Sequence, residues 1–226
     1  MNGAAIIFES VGKAVLQSFE VPTPGSGQVL VETDYSVISA GTERDMLLNR
    51  PNTSGDTFPK APGYSSSGRV LTVGEGVEEL QVGDRVVQYF RGHRSHTLSG
   101  VAKLTRVPDD VDTLSAAFVS IGSMGLQGLR KLQVQLGESA MVIGLGILGM
   151  FATRAAVLDG AIPVLVCDFD ARRRELALQL GADQAFAGDE RDLPDKVREL
   201  TYGRGVDAIV EVTGVAWIHE RTLRAP

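Results

Sequence analysis

The chain is 226 residues long, with 43% hydrophobic and 22% charged residues, which is enough for one large domain or two ordinary ones. Acidic and basic residues are interspersed and give a formal net charge of −6, so there is no basic patch to bind nucleic acid or an anionic membrane. Because the chain has no apolar run of about 18 residues and no signal-peptide pattern, we expect a cytoplasmic protein whose partner is a small molecule.

The first half of the chain is built from short β-like runs. Between residues 4 and 107 these runs alternate with turns rich in proline and glycine, the clearest at residues 22–27 and 51–55. This spacing is typical of a compact barrel-like β-domain, which we assign to residues 1–120. One short helix is predicted from Glu43 to Leu48.

The second half has a different pattern, in which solid apolar strands alternate with stretches of helical spacing. The strands are predicted to open at Met141, Val164, Gln184 and Ala208. Asp170 and Asp192 are predicted to cap two helices that end at Gly181 and Gly203. Buried strands that alternate with helices predict a parallel sheet covered on both faces, in a domain of residues 121–226.

A glycine-rich loop follows the first of these strands and opens a helix. Gly144, Gly146 and Gly149 are spaced for a tight turn, for close approach of backbone to a pyrophosphate and for close packing of helix on strand. Ile147 and Leu148, between the last two glycines, would present amides at the positive end of the helix. The pattern predicts a dinucleotide site, and the alternative is a structural glycine turn in another α/β fold.

An acidic residue ends the second strand, 19 residues after the last glycine of the loop. This residue, Asp168, can accept hydrogen bonds from both hydroxyls of an adenosine ribose, which favours NAD. The alternative is a solvated strand end. Three arginines follow, Arg172, Arg173 and Arg174. They leave NADP as an alternative cofactor, since an arginine there can bind its 2′-phosphate, although three basic residues on a helix are more often a solvated face.

Together the two halves resemble the medium-chain dehydrogenase/reductase superfamily, which joins a GroES-like β-domain to a Rossmann domain in this order. The resemblance rests on the glycine loop and on residues 24–31, 39–44, 62–68, 73–77 and 82–86. It implies an α/β chain with a GroES-like β-barrel domain followed by a partial Rossmann doubly wound parallel sheet. It also implies an NAD(P)-dependent oxidoreductase.

The resemblance further implies that zinc is absent. Zinc-dependent members have a cysteine at the position of Ala40, a histidine at Tyr64 and commonly a cysteine near Val119 or Ser120. The chain's one cysteine, Cys167, lies in an apolar strand and cannot contribute to a thiolate cluster. His93 and His96 are interpreted as polar surface or pocket-edge residues. The sequences of residues 39–44 and 63–68 are similar to those of a zinc-lacking bacterial branch of the superfamily, which includes the dehydrogenase half of two-domain oxidoreductases.

Two hydroxyls are the catalytic candidates that the resemblance implies. Thr42 matches the proton-relay hydroxyl of the family, and Tyr64 presents a phenol where the ligand histidine would stand. The alternatives are that Thr42 caps the helix starting at Glu43 and that Tyr64 only fills space. Phe90 matches an aromatic residue of the pocket wall, or is a buried core residue. Glu43 and Asp45 form no convincing acid pair.

The dinucleotide domain is expected to be incomplete at its C-terminal end. Four strands are counted where a full domain has six, so on the order of 50 residues are missing. Thr213 and Gly214 remain as candidate neighbours of the nicotinamide ribose. The fourth strand would be an exposed edge, which we expect residues outside this sequence, a second copy or a complementing chain to cover.

The leading hypothesis is therefore a zinc-independent, NAD(H)-dependent oxidoreductase that moves a hydride to or from a carbonyl, alcohol or activated alkene. The alternatives are a degenerate, non-catalytic module for dinucleotide binding or assembly, and a half that works only with a partner chain.

Overall fold

The computed structural model describes residues 1–50, 55 and 57–215. The chain divides into two compact units, with the boundary between Ser120 and Ile121. The first unit is mainly antiparallel β-structure and the second is a parallel α/β sheet. No helix in the described part of the chain is long and apolar enough to cross a membrane.

The first unit contains seven described strands. They are β1 (Asn2–Ser10), β2 (Lys13–Glu20), β3 (Gln28–Ser36), β4 (Ser65–Val73), β5 (Arg85–Tyr89), β6 (His96–Gly100) and β7 (Leu104–Arg106). The helices are α1 (Ala40–Leu47) and α2 (Thr113–Ala117), with one 3₁₀ turn at Val101–Lys103. A hairpin of β1 and β2 accompanies a five-stranded antiparallel sheet in the order β6-β3-β4-β5-β7.

The core of this unit is a cluster of aliphatic side chains around β3. Val29, Leu30 and Val31 are consecutive in that strand and all buried, so both faces of the strand are covered. Val70 and Val86 from β4 and β5 pack with Val29 and Val31 in one cluster. The apolar runs therefore form the sheet that the sequence predicts.

Buried hydroxyls attach α2 to β4. The Ser65 hydroxyl donates to the carbonyl of Ala117, and the Ser67 hydroxyl donates to the carbonyl of Thr113. These bonds satisfy polar groups that would be costly to bury alone. Asp112 caps α2 by accepting from the amide of Ser115 at 2.8 Å, and this bond lowers the pKa of the Asp112 carboxyl.

The described part of the second unit contains four parallel strands and four helices. The strands are β8 (Ala140–Ile143), β9 (Val164–Cys167), β10 (Gln184–Phe186) and β11 (Ala208–Glu211). The helices are α3 (Val119–Leu132), which begins two residues before the boundary, α4 (Ile147–Asp159), α5 (Ala171–Gln179) and α6 (Leu193–Leu200). The strand order is β10-β9-β8-β11, so all four predicted strands are present in one parallel sheet.

Alternate residues of the central strands point into two separate cores. Val142 and Val166 pack in one buried cluster, whereas Ile143 and Leu165 pack in another. Both faces of the sheet are thus covered, as the unbroken apolar runs predict. Among the residues that the structure describes, β11 pairs only with β8 and lies at the edge of this sheet.

The predicted cap of α5 is present. The Asp170 carboxylate accepts from the amides of Arg172 and Arg173 at 2.8 and 3.2 Å, which lowers its pKa. Asp192 occupies the cap position of α6 but accepts no capping bond with its side chain. That helix ends at Leu200, shortly before the predicted glycine stop.

Three hydrogen bonds between Ser139 and Asp207 join the amino ends of β8 and β11. The Asp207 carboxylate accepts from the amide and hydroxyl of Ser139 at 2.8 and 2.7 Å, and the Ser139 hydroxyl accepts from the Asp207 amide at 3.0 Å. The bonds from Ser139 lower the pKa of Asp207 because they stabilise its ionised form.

Candidate functional site

The glycine loop between β8 and α4 is shaped by close contacts at its two ends. Gly144 has a left-handed φ of 93°, and a Cβ there would lie 2.7 Å from the methyl of Thr213. A Cβ at Gly149 would lie 1.8 Å from the carbonyl oxygen of Gly144. Gly146, between them, has no atom within 4 Å of where a Cβ would stand. The outer glycines allow the turn to close, and the middle one leaves open space.

That open space adjoins the start of a helix. Gly146 is the N-cap of α4, and Ile147 and Leu148 are the first helical residues. A glycine cap has no side chain to accept from the first-turn amides, so these donors and the positive end of the helix dipole remain available. The loop therefore fits a phosphate group.

Asp168 is held directly against this loop. Its carboxylate accepts from the amide of Leu145 at 2.6 Å and from the amide of Asp170 at 2.8 Å. The side chain is 11% exposed. One amide bond to each oxygen leaves further lone pairs on both, so the carboxylate can accept from two more donors.

The three arginines after this strand have different surroundings. Arg174 donates to the carbonyls of Asp168 and Phe169 at 2.7 and 2.9 Å and so fixes the end of β9. Arg173 is half-exposed and lies 3.8 Å from the Asp168 carboxylate. Arg172 contributes its amide to the cap of α5. Arg173 is therefore the arginine whose side chain stands beside the acid.

Residues that follow β11 reach the same end of the sheet. The Thr213 amide donates to the Glu211 carboxylate at 2.6 Å, the Thr213 hydroxyl donates to the same oxygen, and Gly214 has a left-handed φ of 68°. Thr213 borders Gly144. The chain turns in opposite directions from β8 to reach β9 and β11, and ligands of open α/β sheets bind at such a switch point.

The first unit contains a cavity of about 560 Å³. Its lining comprises Thr42, Glu43, Met46, Ala61, Gly63, Tyr64, Phe90, Arg91, Gly92, Arg94, Thr97 and Leu98. The structure thus brings Thr42, Tyr64 and Phe90, which are far apart in sequence, onto one cavity wall. Ligand pockets commonly have this size and this mixture of apolar and polar lining.

The short helix begins earlier than predicted, and this removes one alternative for Thr42. α1 starts at Ala40 rather than Glu43, with Ser39 as its N-cap. Thr42 lies inside the first turn and is not the cap. Its hydroxyl is one of the polar groups on the cavity.

Two aromatic rings form part of the cavity wall. The ring centroids of Tyr64 and Phe90 are 5.9 Å apart with an interplanar angle of 32°. Phe90 is 77% exposed and has a φ of 55°, an uncommon conformation for a bulky residue. Phe90 is therefore not a core residue. Such backbone conformations often occur at functional sites.

A buried Glu–His pair beside the cavity is absent from the sequence predictions. Nε2 of His93 lies 2.8 Å from the Glu43 carboxylate, and Nδ1 lies 2.9 Å from the hydroxyl of Ser36. The other Glu43 oxygen accepts from the amide of Ser39 at 2.9 Å. Glu43 and His93 are 5% and 6% exposed, so His93 is not a polar surface residue, and of the two interpretations only a position at the edge of the cavity remains.

His96 is also buried, with Nδ1 at 2.9 Å from the hydroxyl of Ser95. Nothing local in the sequence marks either histidine. Glu43 and His93 are 50 residues apart, and the segment that carries His93 is positioned by backbone bonds to β1 and to Pro62 and Gly63, all distant in sequence.

The residues that the structure describes do not assemble a zinc site. They contain no group of three or more histidine, cysteine, aspartate or glutamate side chains that could hold a metal. Ala40 and Tyr64 provide neither thiolate nor imidazole. The Cys167 thiol is buried, and its burial raises the pKa to about 11, so it remains protonated at neutral pH.

A β unit with a polar cavity, together with an α/β unit with a glycine loop, defines the class of two-domain oxidoreductases. Two family models match the chain: the alcohol dehydrogenase GroES-like domain over residues 25–162 and the zinc-binding dehydrogenase model over residues 148–225. The chain belongs to this zinc-type alcohol dehydrogenase family, and it is an oxidoreductase.

Individual relatives agree with this assignment. The L-threonine 3-dehydrogenase of Pyrococcus abyssi (strain GE5 / Orsay) is 29% identical over 246 residues, covering 94% of this chain and 69% of that protein. A dehydrogenase of zinc-binding type from Sinorhizobium meliloti 1021, solved with NADP, has a TM-score of 0.86 at 22% identity and covers 96% of this chain and 71% of its own. An alcohol dehydrogenase from Escherichia coli CFT073, solved with NADH, has a TM-score of 0.86 at 19% identity, with coverage of 99% and 73%. The predicted fold class is confirmed.

Proposed function

We propose that the chain is a zinc-independent, NAD(H)-dependent oxidoreductase that moves a hydride to or from a carbonyl, alcohol or activated alkene of a small molecule. The observation that carries the proposal is the Asp168 carboxylate, which the amide of Leu145 holds against the open glycine loop. A carboxylate held there can accept hydrogen bonds from both hydroxyls of an adenosine ribose, while the amides at the start of α4 donate to the pyrophosphate.

The proposed cofactor is NAD rather than NADP. The Asp168 carboxylate would repel a 2′-phosphate on the adenosine ribose. Arg173, 3.8 Å from that carboxylate, would attract one. Among the relatives, the S. meliloti protein was solved with NADP and the E. coli protein with NADH. The ratio of the two affinities therefore tests the role of Asp168 more sharply than either affinity alone.

Turnover is proposed to proceed without zinc, as in the zinc-lacking branch of the superfamily. In zinc enzymes the metal polarises the substrate oxygen. Here Ala40 and Tyr64 occupy the positions of the zinc-binding cysteine and histidine of the zinc-dependent members. The described residues contain no group of side chains that could bind a metal ion. Stoichiometric zinc in the active protein, with activity lost on chelation and restored by zinc, would refute this part of the proposal.

Hydroxyl groups of the cavity take over the stabilisation of the reacting oxygen. The nicotinamide, when bound, supplies or accepts the hydride. The Thr42 hydroxyl donates a hydrogen bond to the substrate oxygen as negative charge develops on it, and the Tyr64 phenol is a second donor. The Tyr64 and Phe90 rings form an apolar part of the cavity wall against which the substrate can pack.

Titration with NADH and NADPH, followed by cofactor fluorescence, tests the dinucleotide site. Asp168→Asn keeps an oxygen that can accept from the Leu145 amide but removes the charge. We expect NADH to bind about 10- to 100-fold more weakly, the range for losing one or two charge-assisted hydrogen bonds, and the preference over NADPH to fall. Asp195→Ala, on an exposed carboxylate of the same unit, is the control and should change neither affinity.

Absence of binding to wild-type protein at millimolar cofactor would overturn the proposal. Binding without turnover of any substrate would favour the non-catalytic module instead.

Assays against enones, quinones and sugar alcohols test the catalytic assignment. Thr42→Ala should lower kcat by about 100-fold or more, the usual effect of removing a donor to a developing oxyanion, while NADH affinity is kept. Thr42→Ser retains the hydroxyl and should retain most of the rate. Equal rates for the Ala and Ser variants would remove Thr42 from the mechanism.

A further inference from the structure

Two arginines that line the cavity of the first unit, Arg91 and Arg94, lack hydrogen-bond acceptors. The Nε atoms of Arg91 and Arg94 are buried and have no hydrogen bond. Among the described residues, neither guanidinium forms a side-chain hydrogen bond or an ion pair. Buried donors without acceptors are costly and uncommon in native proteins. A ligand that supplies the acceptors would remove this cost.

The backbone on either side of Arg94 is held by β1. β1 bonds to the segment around Arg94: the Ile6 amide donates to the His93 carbonyl at 2.8 Å, and the Ser95 amide donates to the Ala4 carbonyl at 2.8 Å. The guanidinium of Arg94 lies over the ring of Phe19, with 5.5 Å between its central carbon and the ring centroid. Such stacking orients a guanidinium plane and leaves its edge N–H groups available.

The charge of the cavity is not balanced by the residues that line it. Glu43 is the one acidic residue in the lining, and its two oxygens are already bonded to Nε2 of His93 and to the amide of Ser39. The remaining lining residues other than the arginines are uncharged. Two arginines and one glutamate leave a formal charge of +1, which a monoanion would neutralise.

We propose that the substrate bears a carboxylate, which Arg91 and Arg94 bind. This names the substrate class of the proposed function and rests on it. Guanidinium groups present paired N–H donors in the geometry of a carboxylate, and such charge-assisted bonds are the strong ones. The carbonyl, alcohol or alkene that reacts then lies elsewhere on the same molecule, within reach of Thr42.

Direct binding of matched pairs tests this without any turnover. The probes are 3-hydroxybutyrate against 3-hydroxybutyramide and cinnamate against cinnamamide, titrated by calorimetry into the full chain at constant ionic strength. Each pair differs in the carboxylate and little in shape. We expect wild-type protein to bind the acid at least about tenfold more tightly than the amide in at least one pair.

Variants assign the preference to the arginines. Arg91→Gln and Arg94→Gln should each reduce the acid-to-amide ratio by about tenfold, and the amide affinity should stay unchanged. Arg94→Lys keeps the charge without the paired donors and should give an intermediate ratio. Arg69→Gln, on an exposed arginine of the same unit, is the control and should leave the ratio as in wild type.

Two results would overturn the proposal. One is equal affinity within both pairs, including no measurable binding of any probe. The other is an acid preference that survives in both glutamine variants. A parallel NADH titration keeps this outcome separate from that of the proposed function, since failure of NADH to bind tests the second unit and leaves the acid-to-amide ratio measurable.

Discussion

Removing the imidazole of His93 should destabilise the first unit strongly. The Glu43 and His93 side chains are 7% and 5% exposed, and 2.8 Å separates Nε2 from the carboxylate oxygen. In His93→Ala the oxygen that faced the imidazole loses its donor inside the protein, and only the bond from the Ser39 amide remains. Breaking a buried pair from one side typically costs about 3–5 kcal/mol, so we expect a loss in that range.

A pair on the surface of the same helix region provides the contrast. Arg50 and Asp45 are 3.0 Å apart, but their side chains are 49% and 41% exposed. Exposed pairs contribute about 0–1 kcal/mol, so Arg50→Ala should shift stability by no more than that. Added salt should weaken the surface pair and leave the His93 effect nearly unchanged, since ions do not reach the buried contact.

Urea unfolding of the full chain, followed by far-UV circular dichroism, measures the loss of stability in His93→Ala and in Arg50→Ala. A double-mutant cycle with Glu43→Ala should show coupling, because the double variant removes the stranded carboxylate and loses less than the sum of the single losses. An effect of His93→Ala below about 1 kcal/mol, or additive single losses, would show that the pair does not stabilise the fold as argued.

Three further predictions concern the second unit. Gly149→Ala should destabilise by about 3 kcal/mol or more, since its Cβ would overlap a carbonyl oxygen. Gly146→Ala has space for its Cβ and should cost no more than about 1 kcal/mol in urea unfolding, the cost of alanine at a helix N-cap, while it lowers NADH affinity. Cys167 should resist iodoacetamide at pH 8 until urea is added, as mass spectrometry would show. Because its folded pKa of about 11 exceeds the unfolded value of 9.0, stability should fall by about 2 kcal/mol as pH rises from 9 to 11, and Cys167→Ala should lose this slope. Ser139→Ala should lower stability by about 1–2 kcal/mol at pH 7 and have less effect below pH 4, because the stabilisation through the lowered pKa of Asp207 is lost as pH falls.

Local patterns were sufficient to predict most of the second unit. The runs at Val142 and Val166 are apolar at every position because a central parallel strand is buried on both faces. The glycine loop follows one of these strands, and Asp170 caps the next helix as its position indicates. Each of these features depends on contacts between residues close in sequence or on the pattern of buried positions within one strand or helix.

Features of the first unit depend on contacts that join distant parts of the chain. The burial of His93 follows from the pairing of β1 with the segment before β6, and from a glutamate on α1. The exposed, left-handed Phe90 has no sequence signature, since only glycine and asparagine commonly mark such a conformation. The buried Nε of Arg94, which has no hydrogen-bond acceptor, likewise becomes apparent only when the cavity is assembled. Short β-like runs do not specify these neighbours.

The hydrogen bonds exchanged by Ser139 and Asp207 have a consequence for how the parallel sheet assembles. The two residues are 68 positions apart. β11 pairs with β8, although β9 and β10 lie between these two strands in the sequence. An apolar strand such as β11 could dock on either edge of a partly formed sheet. The polar pair, which lies directly before β8 and β11, stabilises docking at only one of those edges. Docking there leaves the carboxyl ends of β8 and β11 side by side, where Thr213 borders the glycine loop.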